Sequence, residues 1–581
     1  MAKTGKPAHF TAASAAFSTI TAGGAVLARL KALGVDYIFA NSGTDFPPII
    51  EGLAEATAKD IPLPGAIVIP HENAAMGMAH GYYLATGRAQ AVMAHTNVGL
   101  ANCAIGAINA ATEQVPVILF SGRTPVTEHG RLGSRTVPIG WGQEMRDQTA
   151  LVRETSKWDY ELRFPEQAVD VIDRAFAIAC STPKGPVYLS LPREVLCEPC
   201  PAGDLDAPPR MSPAIAAPRP AALDEAARLV ADAKRPLIIA QRGAGSAKGF
   251  AALAELAHAW GIPVSQYWAI QLAIASEHPM SVGVDPAPWL KDADLVLVLD
   301  CIAPWSPDIH KLADGCKVIQ IGQDPLYARF PVRNFRADVS LVGETADIIT
   351  ALESRLQPYL ARTAELRDAR RAKVSDAHAA RRAAVLAQAE RGDGDLMTKE
   401  WVSLCLSRAI AGRDAAVLSE LGCPLEPLSL STHHSWFQEP HSGGLGWSFP
   451  CALGMQLADP ERLVVATMGD GSYMFSNPVA CHQIAEALRL PILIVIVNNS
   501  EWGAVRKSVL DVYPHGFAAK TNKMPLISLD PSPDFTRVAE ASRAFAQKVA
   551  KGKDLPEALR RAIDHVTERR TAALLDVRVA P

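Results

Sequence analysis

What this sequence has little of narrows it first. No stretch approaches the roughly 20 apolar residues that a membrane-spanning helix requires; the longest aliphatic run, 490–497, is broken by Pro491. Neither sign of charge is in surplus, because 57 Lys and Arg face 61 Asp and Glu for a net charge of −4. That balance provides no electrostatic footprint for nucleic acid or an anionic membrane. The ten cysteines are scattered over 581 residues, unlike the dense disulfide framework of a small secreted domain. Cys197 and Cys200 have redox spacing, but no second pair accompanies them, so neither zinc nor a disulfide is expected there. Lys3 and Lys6 are followed by Ser, Thr and Ala rather than a sustained apolar core. No secretory signal is expected, and a cytoplasmic location with reduced thiols follows.

The chain is too long for one core and suggests about three domains. Apolar runs alternate with helical-period segments throughout, the mark of parallel α/β sheets. Segments 66–70, 91–95, 117–121 and 187–191 read as buried strands of an N-terminal domain, residues 1–197. A Pro/Ala-rich stretch over 198–221 looks like a linker. A middle, Rossmann-like domain over 222–356 carries a helix at 224–233 and strands at 236–240, 295–300 and 317–321. Residues 357–396, rich in Arg, Ala and Glu, read as a solvated helical linker. The C-terminal domain, 397–581, has strands at 416–419, 462–468, 492–497 and 573–577. The fold class is therefore α/β, with three open parallel-sheet domains and no obvious sequence repeat.

The sharpest local signal is Met468-Gly469-Asp470-Gly471-Ser472, followed by Asn498-Asn499 at the end of the next strong strand. A strand at 462–468 delivers an acid at its carboxyl end, where open parallel sheets bind ligands. Glycines on either side allow backbone to approach a phosphate closely. After a crossover helix over 477–488, the next strand delivers two amides to the same edge. One carboxylate, one amide oxygen and a backbone carbonyl form a hard oxygen set suited to Mg²⁺ on a diphosphate. A second Gly-Asp-Gly at 392–394 follows Glu390 and Arg391 instead of a strand, has no Asn pair downstream, and reads as a turn.

The 469–499 pattern resembles the diphosphate motif of thiamine diphosphate enzymes, and the resemblance covers nearly the whole chain in the domain order of the 2-oxo acid decarboxylase and acetolactate synthase group. It implies three domains, pyrimidine-binding, middle and diphosphate-binding. It also implies metal ligands at Asp470, Asn499 and, through its backbone carbonyl, Glu501, with Gly469, Gly471, Ser472 and Trp502 around the cofactor. Ile69-Pro70-His71-Glu72-Asn73 and the small-residue helix that follows match the family's catalytic glutamate, here Glu72. The chemistry calls for such a group: a carboxyl sharing a proton with the aminopyrimidine ring makes the cofactor's own amino group basic, and burial raises the carboxyl pKa to suit. Pro440 to Trp447 looks like the cofactor-bending segment, with Leu445 propping the thiazolium and the carbonyl of Gly443 accepting from the amino group.

Within the family, His95 to Asn102 is similar, without gaps, to the benzoylformate decarboxylase segment that carries a catalytic histidine. This implies a proton-shuttling role for His95, suited to a pKa near neutrality. Thr44 matches that enzyme's substrate-carboxylate serine. Ser508 and Arg123 stand where acetolactate synthases carry a substrate-selecting Trp and a Gln, which disfavours the carboligase alternative. The stretch 303–307 lacks the decarboxylase's second histidine, so the substrate stays open. His433 and His434 read as solvated loop residues. Some relatives bind FAD or an adenine nucleotide in the middle domain, but Gly243-Ala244-Gly245 completes no dinucleotide fingerprint and none is assigned here. An acyl-CoA lyase and a non-catalytic cofactor-binding paralogue are further alternatives. The partners implied are a small 2-oxo acid and a second copy of the chain: a homodimer or homotetramer with active sites at the subunit interface, with no nucleic acid and no membrane.

Overall fold

Runs such as Leu493–Asn498 and Pro236–Ala240 are buried at every position, as expected of parallel strands covered by helices on both faces. The computed structural model describes residues 19–522 and 524–580, so the Lys3–Lys6 stretch lies outside the described residues. Three parallel sheets form, one per domain. The N-terminal sheet runs in spatial order Gly65–Val68, Tyr37–Ala40, Gln90–Ala94, Val117–Arg123, Val187–Pro192, Asp159–Glu161. The middle sheet runs Val264–Ser265, Pro236–Ala240, Leu295–Leu299, Lys317–Gly322, Val339–Val342. The C-terminal sheet runs Trp436–Gln438, Ala415–Glu420, Leu463–Gly469, Leu493–Asn498, Ala573–Arg578, Phe545–Val549.

In chain order, the first and third sheets follow one rule: second strand, first, third, fourth, sixth, fifth. The two domains are thus topological copies with no visible sequence repeat. They meet through helices Glu72–Thr86 and Ser448–Ala458, which share one hydrophobic core. Small residues permit the close approach: a Cβ on Gly81 would collide with the Cys451 carbonyl oxygen, and one on Gly454 with that of Met78.

The edge strands Asp159–Glu161, Trp436–Gln438 and Phe545–Val549 are short and only partly apolar, so the hydrophobic pattern alone does not announce them. Pro199–Pro201 pairs antiparallel with Thr19–Thr21, so the Pro-rich segment after the first domain begins as structure. Residues 364–390 form a 27-residue helix. One face of it, including Arg370, Val374, His378, Arg382 and Ala389, is buried, because arginine stems cover apolar surface while their guanidinium groups find carbonyl partners. Among the described residues no helix is long and apolar enough to cross a membrane, and all ten cysteines are free.

Candidate active site

The ladder pairs Gly469 with Val497, which brings Asp470 level with the Asn498-Asn499 pair at the carboxyl edge of the sheet. Asp470 opens a short helix, Asp470–Phe475. Its side chain is buried, and its Oδ2 has no hydrogen-bond partner among the described residues. Burial raises its pKa to about 6, against the opposing pull of neighbouring amides that include Ser500. The first amide, Asn498, is spent on structure: its Nδ2 donates to Asp576 Oδ1 at 2.9 Å, and its Oδ1 accepts from the Ser500 amide at 3.1 Å. Ser500 has a positive φ of 57°, which turns the chain after Asn499. Asn499 Oδ1 receives only a 3.3 Å contact from the Glu501 amide. The Glu501 carboxylate is held by Arg506 at 2.5 and 2.7 Å, so its carbonyl, which accepts from Gly503 at 2.9 Å, is the group left to offer.

No cluster of three or more His, Cys, Asp or Glu side chains suited to a metal occurs among the described residues. A cation at this edge would therefore depend on the mixed carboxylate, amide and carbonyl set, and the unpartnered Asp470 oxygen fits that demand. Gly471 lies under the Trp502 ring, with no room for a Cβ; Trp502 in turn packs edge-on to Phe475 at 5.8 Å. The Gly-Asp-Gly at 392–394 lies in the turn after the long helix, where the Gly392 amide donates to the Ala389 carbonyl.

At the matching edge of the N-terminal sheet, Glu72 begins helix Glu72–Thr86 behind a His71 N-cap. Its carboxylate is clasped by two side-chain amides: Asn41 Nδ2 donates to Oε1 at 3.0 Å, and Asn102 Nδ2 to Oε2 at 2.9 Å. Gly99 passes so closely that a Cβ would lie 2.8 Å from Oε1.

Comparison with known proteins decides the family. Residues 20–151, 223–352 and 425–577 match, in order, the thiamine pyrophosphate enzyme N-terminal TPP binding domain, central domain and C-terminal TPP binding domain. The chain belongs to the thiamine pyrophosphate enzyme family. It is 28% identical over 560 residues to a probable 2-ketoarginine decarboxylase of Pseudomonas aeruginosa, covering 93% of this chain and 90% of the relative. It is 26% identical to a benzoylformate decarboxylase of the same species, covering 92% and 95%. It is also 26% identical to an acetolactate synthase of Mycobacterium bovis, covering 94% and 86%.

This member of the thiamine pyrophosphate family holds its glycine-rich segment 443–446 by a clasp of backbone amides. Gly443 is exposed with φ +66°, Leu445 is half-buried, and the next three amides converge on one carboxylate. Gly446, Trp447 and Ser448 donate to Glu420 at 2.6, 2.8 and 2.7 Å. The Ser472 hydroxyl also faces Glu420, so Ser472 sits against this anchor. Burial holds the Glu420 carboxyl up at about 7. Beside it, burial and the neighbouring Glu420 push Glu439 to about 8. Glu420 carries the same signal as Asp470, an acid closing a buried strand, and that signal could have found it.

His95 is the N-cap of helix Thr96–Thr112. Its Nδ1 bonds Asp45, whose other oxygen accepts the Thr96 amide at 3.2 Å; its Nε2 meets Gln143 at 3.0 Å. The Asp45 hydrogen bond raises the imidazole pKa, against burial. Asp45 gave no sequence signal, since its partner is 50 positions away. Thr44 is exposed between Gly43, which backs the His95 ring, and Asp45; its carbonyl accepts from Arg193 at 2.9 Å. The loop 41–45 thus touches both Glu72 and His95.

Arg123 is ion-paired with Glu144 and Glu161, and Ser508 is exposed on helix Gly503–Val512. His433 and His434 are not solvated loop residues. Their rings meet at a tilt, centroids 4.2 Å apart, between Phe250 and Phe437, and burial lowers their pKa values to about 3 and about 4. A cavity of about 490 Å³ opens beside Gly443, walled by His441, Glu439, Trp268 and Ala303.

Proposed function

We propose that this protein is a thiamine diphosphate- and Mg²⁺-dependent 2-oxo acid decarboxylase of benzoylformate decarboxylase type. The observation that carries the reading is the buried, unpartnered Asp470 oxygen at the strand edge it shares with Asn499. Asp470, Asn499 and the Glu501 carbonyl would hold Mg²⁺ on the diphosphate. Gly469, Gly471, Ser472 and Trp502 would form the cradle, and Gly443 and Leu445 would set the bend. When bound, the cofactor supplies a carbon nucleophile for the 2-oxo carbonyl and an acceptor for the electrons left as carbon dioxide departs.

The chain's own residues handle protons and placement. Glu72, steadied by Asn41 and Asn102, would hold a proton at the aminopyrimidine. His95, oriented by Asp45, would deliver one to the product carbon, and Thr44 would receive the substrate carboxylate. Neither Glu72 nor His95 lines the cavity beside Gly443. That supports a homodimer or homotetramer in which one protomer's Glu72 edge meets its partner's Gly443 edge. Val98 and Ile108, 51% and 43% exposed on the helix behind His95, are apolar surface such a contact would cover. A cytoplasmic setting would keep the ten thiols reduced.

The test is product analysis of purified protein with thiamine diphosphate and Mg²⁺ on pyruvate, benzoylformate and branched 2-oxo acids. The expected products are an aldehyde and carbon dioxide. A 2-hydroxy-3-oxo acid as main product would instead establish the acetolactate synthase-like carboligase. In Glu72→Gln, kcat should fall by about 10²–10⁴; unchanged turnover would reject the assigned role.

A further inference from the structure

A cavity of about 580 Å³ lies at the amino edge of the middle sheet, under the long helix Ala364–Glu390. This is the edge opposite Gly243–Gly245, and its volume is in the range that takes a small organic ligand. Its apolar body comes from Trp289, Pro263, Val282 and Val374. Over this floor the helix lowers a row of cations at helical spacing: Arg370, Lys373 and Arg381.

Two of these arginines are incompletely satisfied. Arg370 is 9% exposed, yet its Nε is buried with no partner among the described residues, and its one hydrogen bond among them runs 3.2 Å to the Ala233 carbonyl. The Nε of Arg381 is likewise buried without a partner. A guanidinium presents five donors in a planar fork, and leaving part of it dry and unpaired is costly. Burial lowers the Arg370 pKa to about 10, as expected for a cation short of a counterion.

The carboxylates nearby are mostly engaged already. Glu426 is bound to Arg381 at 2.8 Å. Asp285 accepts the Ala287 amide at 2.9 Å. Asp294, which faces Arg370 at longer range, accepts the Lys234 and Arg235 amides at 2.7 and 2.8 Å. Only Asp292, at the exposed rim, has no side-chain hydrogen bond or ion pair among the described residues. Lys234 and Arg235 complete a lining of five cations against three carboxylates.

We propose that this cavity is a binding site for a small organic acid with an apolar or aromatic body, its carboxylate on the Arg370 and Lys373 side and its body against Trp289. An anion in the cavity would answer the uncompensated charge of the Arg370 guanidinium, and charge-assisted bonds to its terminal N–H groups are the stronger kind. The Lys373 ammonium lies over the Trp289 ring, 6.0 Å from its centroid.

The probe is phenylacetate, titrated calorimetrically into full-length protein saturated with thiamine diphosphate and Mg²⁺. Saturable binding is expected, about tenfold weaker for the neutral isostere phenylacetamide and about tenfold weaker in Arg370→Gln. Because Arg370 is buried, Lys373→Gln on the exposed rim serves as a second variant. It should weaken binding about threefold with an unchanged thermal midpoint. Three results would overturn the proposal: no saturable binding, equal binding of acid and amide, or phenylacetate affinity unchanged in both variants. The last would place the probe in the catalytic cleft.

Discussion

In the proposed reaction, Asp45 and His95 would divide the work of a proton carrier between two side chains. The carboxylate is fixed from behind by the Thr96 amide, so it fixes the imidazole tautomer and favours the charged ring. With its pKa raised above the ordinary value of 6.5, His95 stays protonated to higher pH than a free imidazole and becomes neutral only beyond that point. Removing the charge should reverse the effect. In Asp45→Asn, the limb of kcat/KM that reports His95 should move towards acid by about one pH unit. A pH–rate profile of variant and parent checks this. A limb that stays in place would mean that the titrating group lies elsewhere.

Among the elements, the joint between helices Glu72–Thr86 and Ser448–Ala458 holds together the two sheets that bear the candidate site. Gly77 has a Pro450 ring carbon 2.6 Å from where its Cβ would be, and Gly81 has no space for one at all. Both lie in the middle of a helix, where glycine costs conformational entropy, so the tight packing must offset that cost. Gly81→Ala should destabilise the protein by about 1–3 kcal/mol through overpacking, measured as a shift in denaturant midpoint. A neutral result would mean that the helices can separate freely.

This joint also marks where the sequence stops being readable. The buried central strands are legible because both faces are covered and every position is apolar. Asp470 and Glu72 are legible because each sits at a strand end beside small residues. Asp45, Asn41 and Asn102 are not: their meaning is a contact with a residue 30 to 51 positions away, and nothing local distinguishes them from turn and helix residues. The buried face of the long helix is hidden for a related reason. Its covering residues include Arg370 and Arg382, which periodicity counts as polar although their stems lie against the middle domain.

At the scale of the whole molecule, the shared strand order of the first and third sheets gives the chain two corresponding carboxyl edges. One carries Glu72 and His95, and the other carries Asp470, Asn499 and the Gly443 bend. If each complete site draws one edge from each of two protomers, the halves can be broken separately and recombined. Glu72→Gln and Asp470→Ala should each be inactive alone, because every site in either homodimer lacks one part. After subunit exchange, half of the dimers contain one chain of each kind. Each such dimer assembles one doubly damaged site and one undamaged site, so activity should recover to about a quarter of wild type. An assay of the two variants before and after mixing, under conditions that permit exchange, reads this directly. Recovery requires the two edges to come from different chains. If exchange is verified and the mixture stays inactive, each chain builds its site from its own residues.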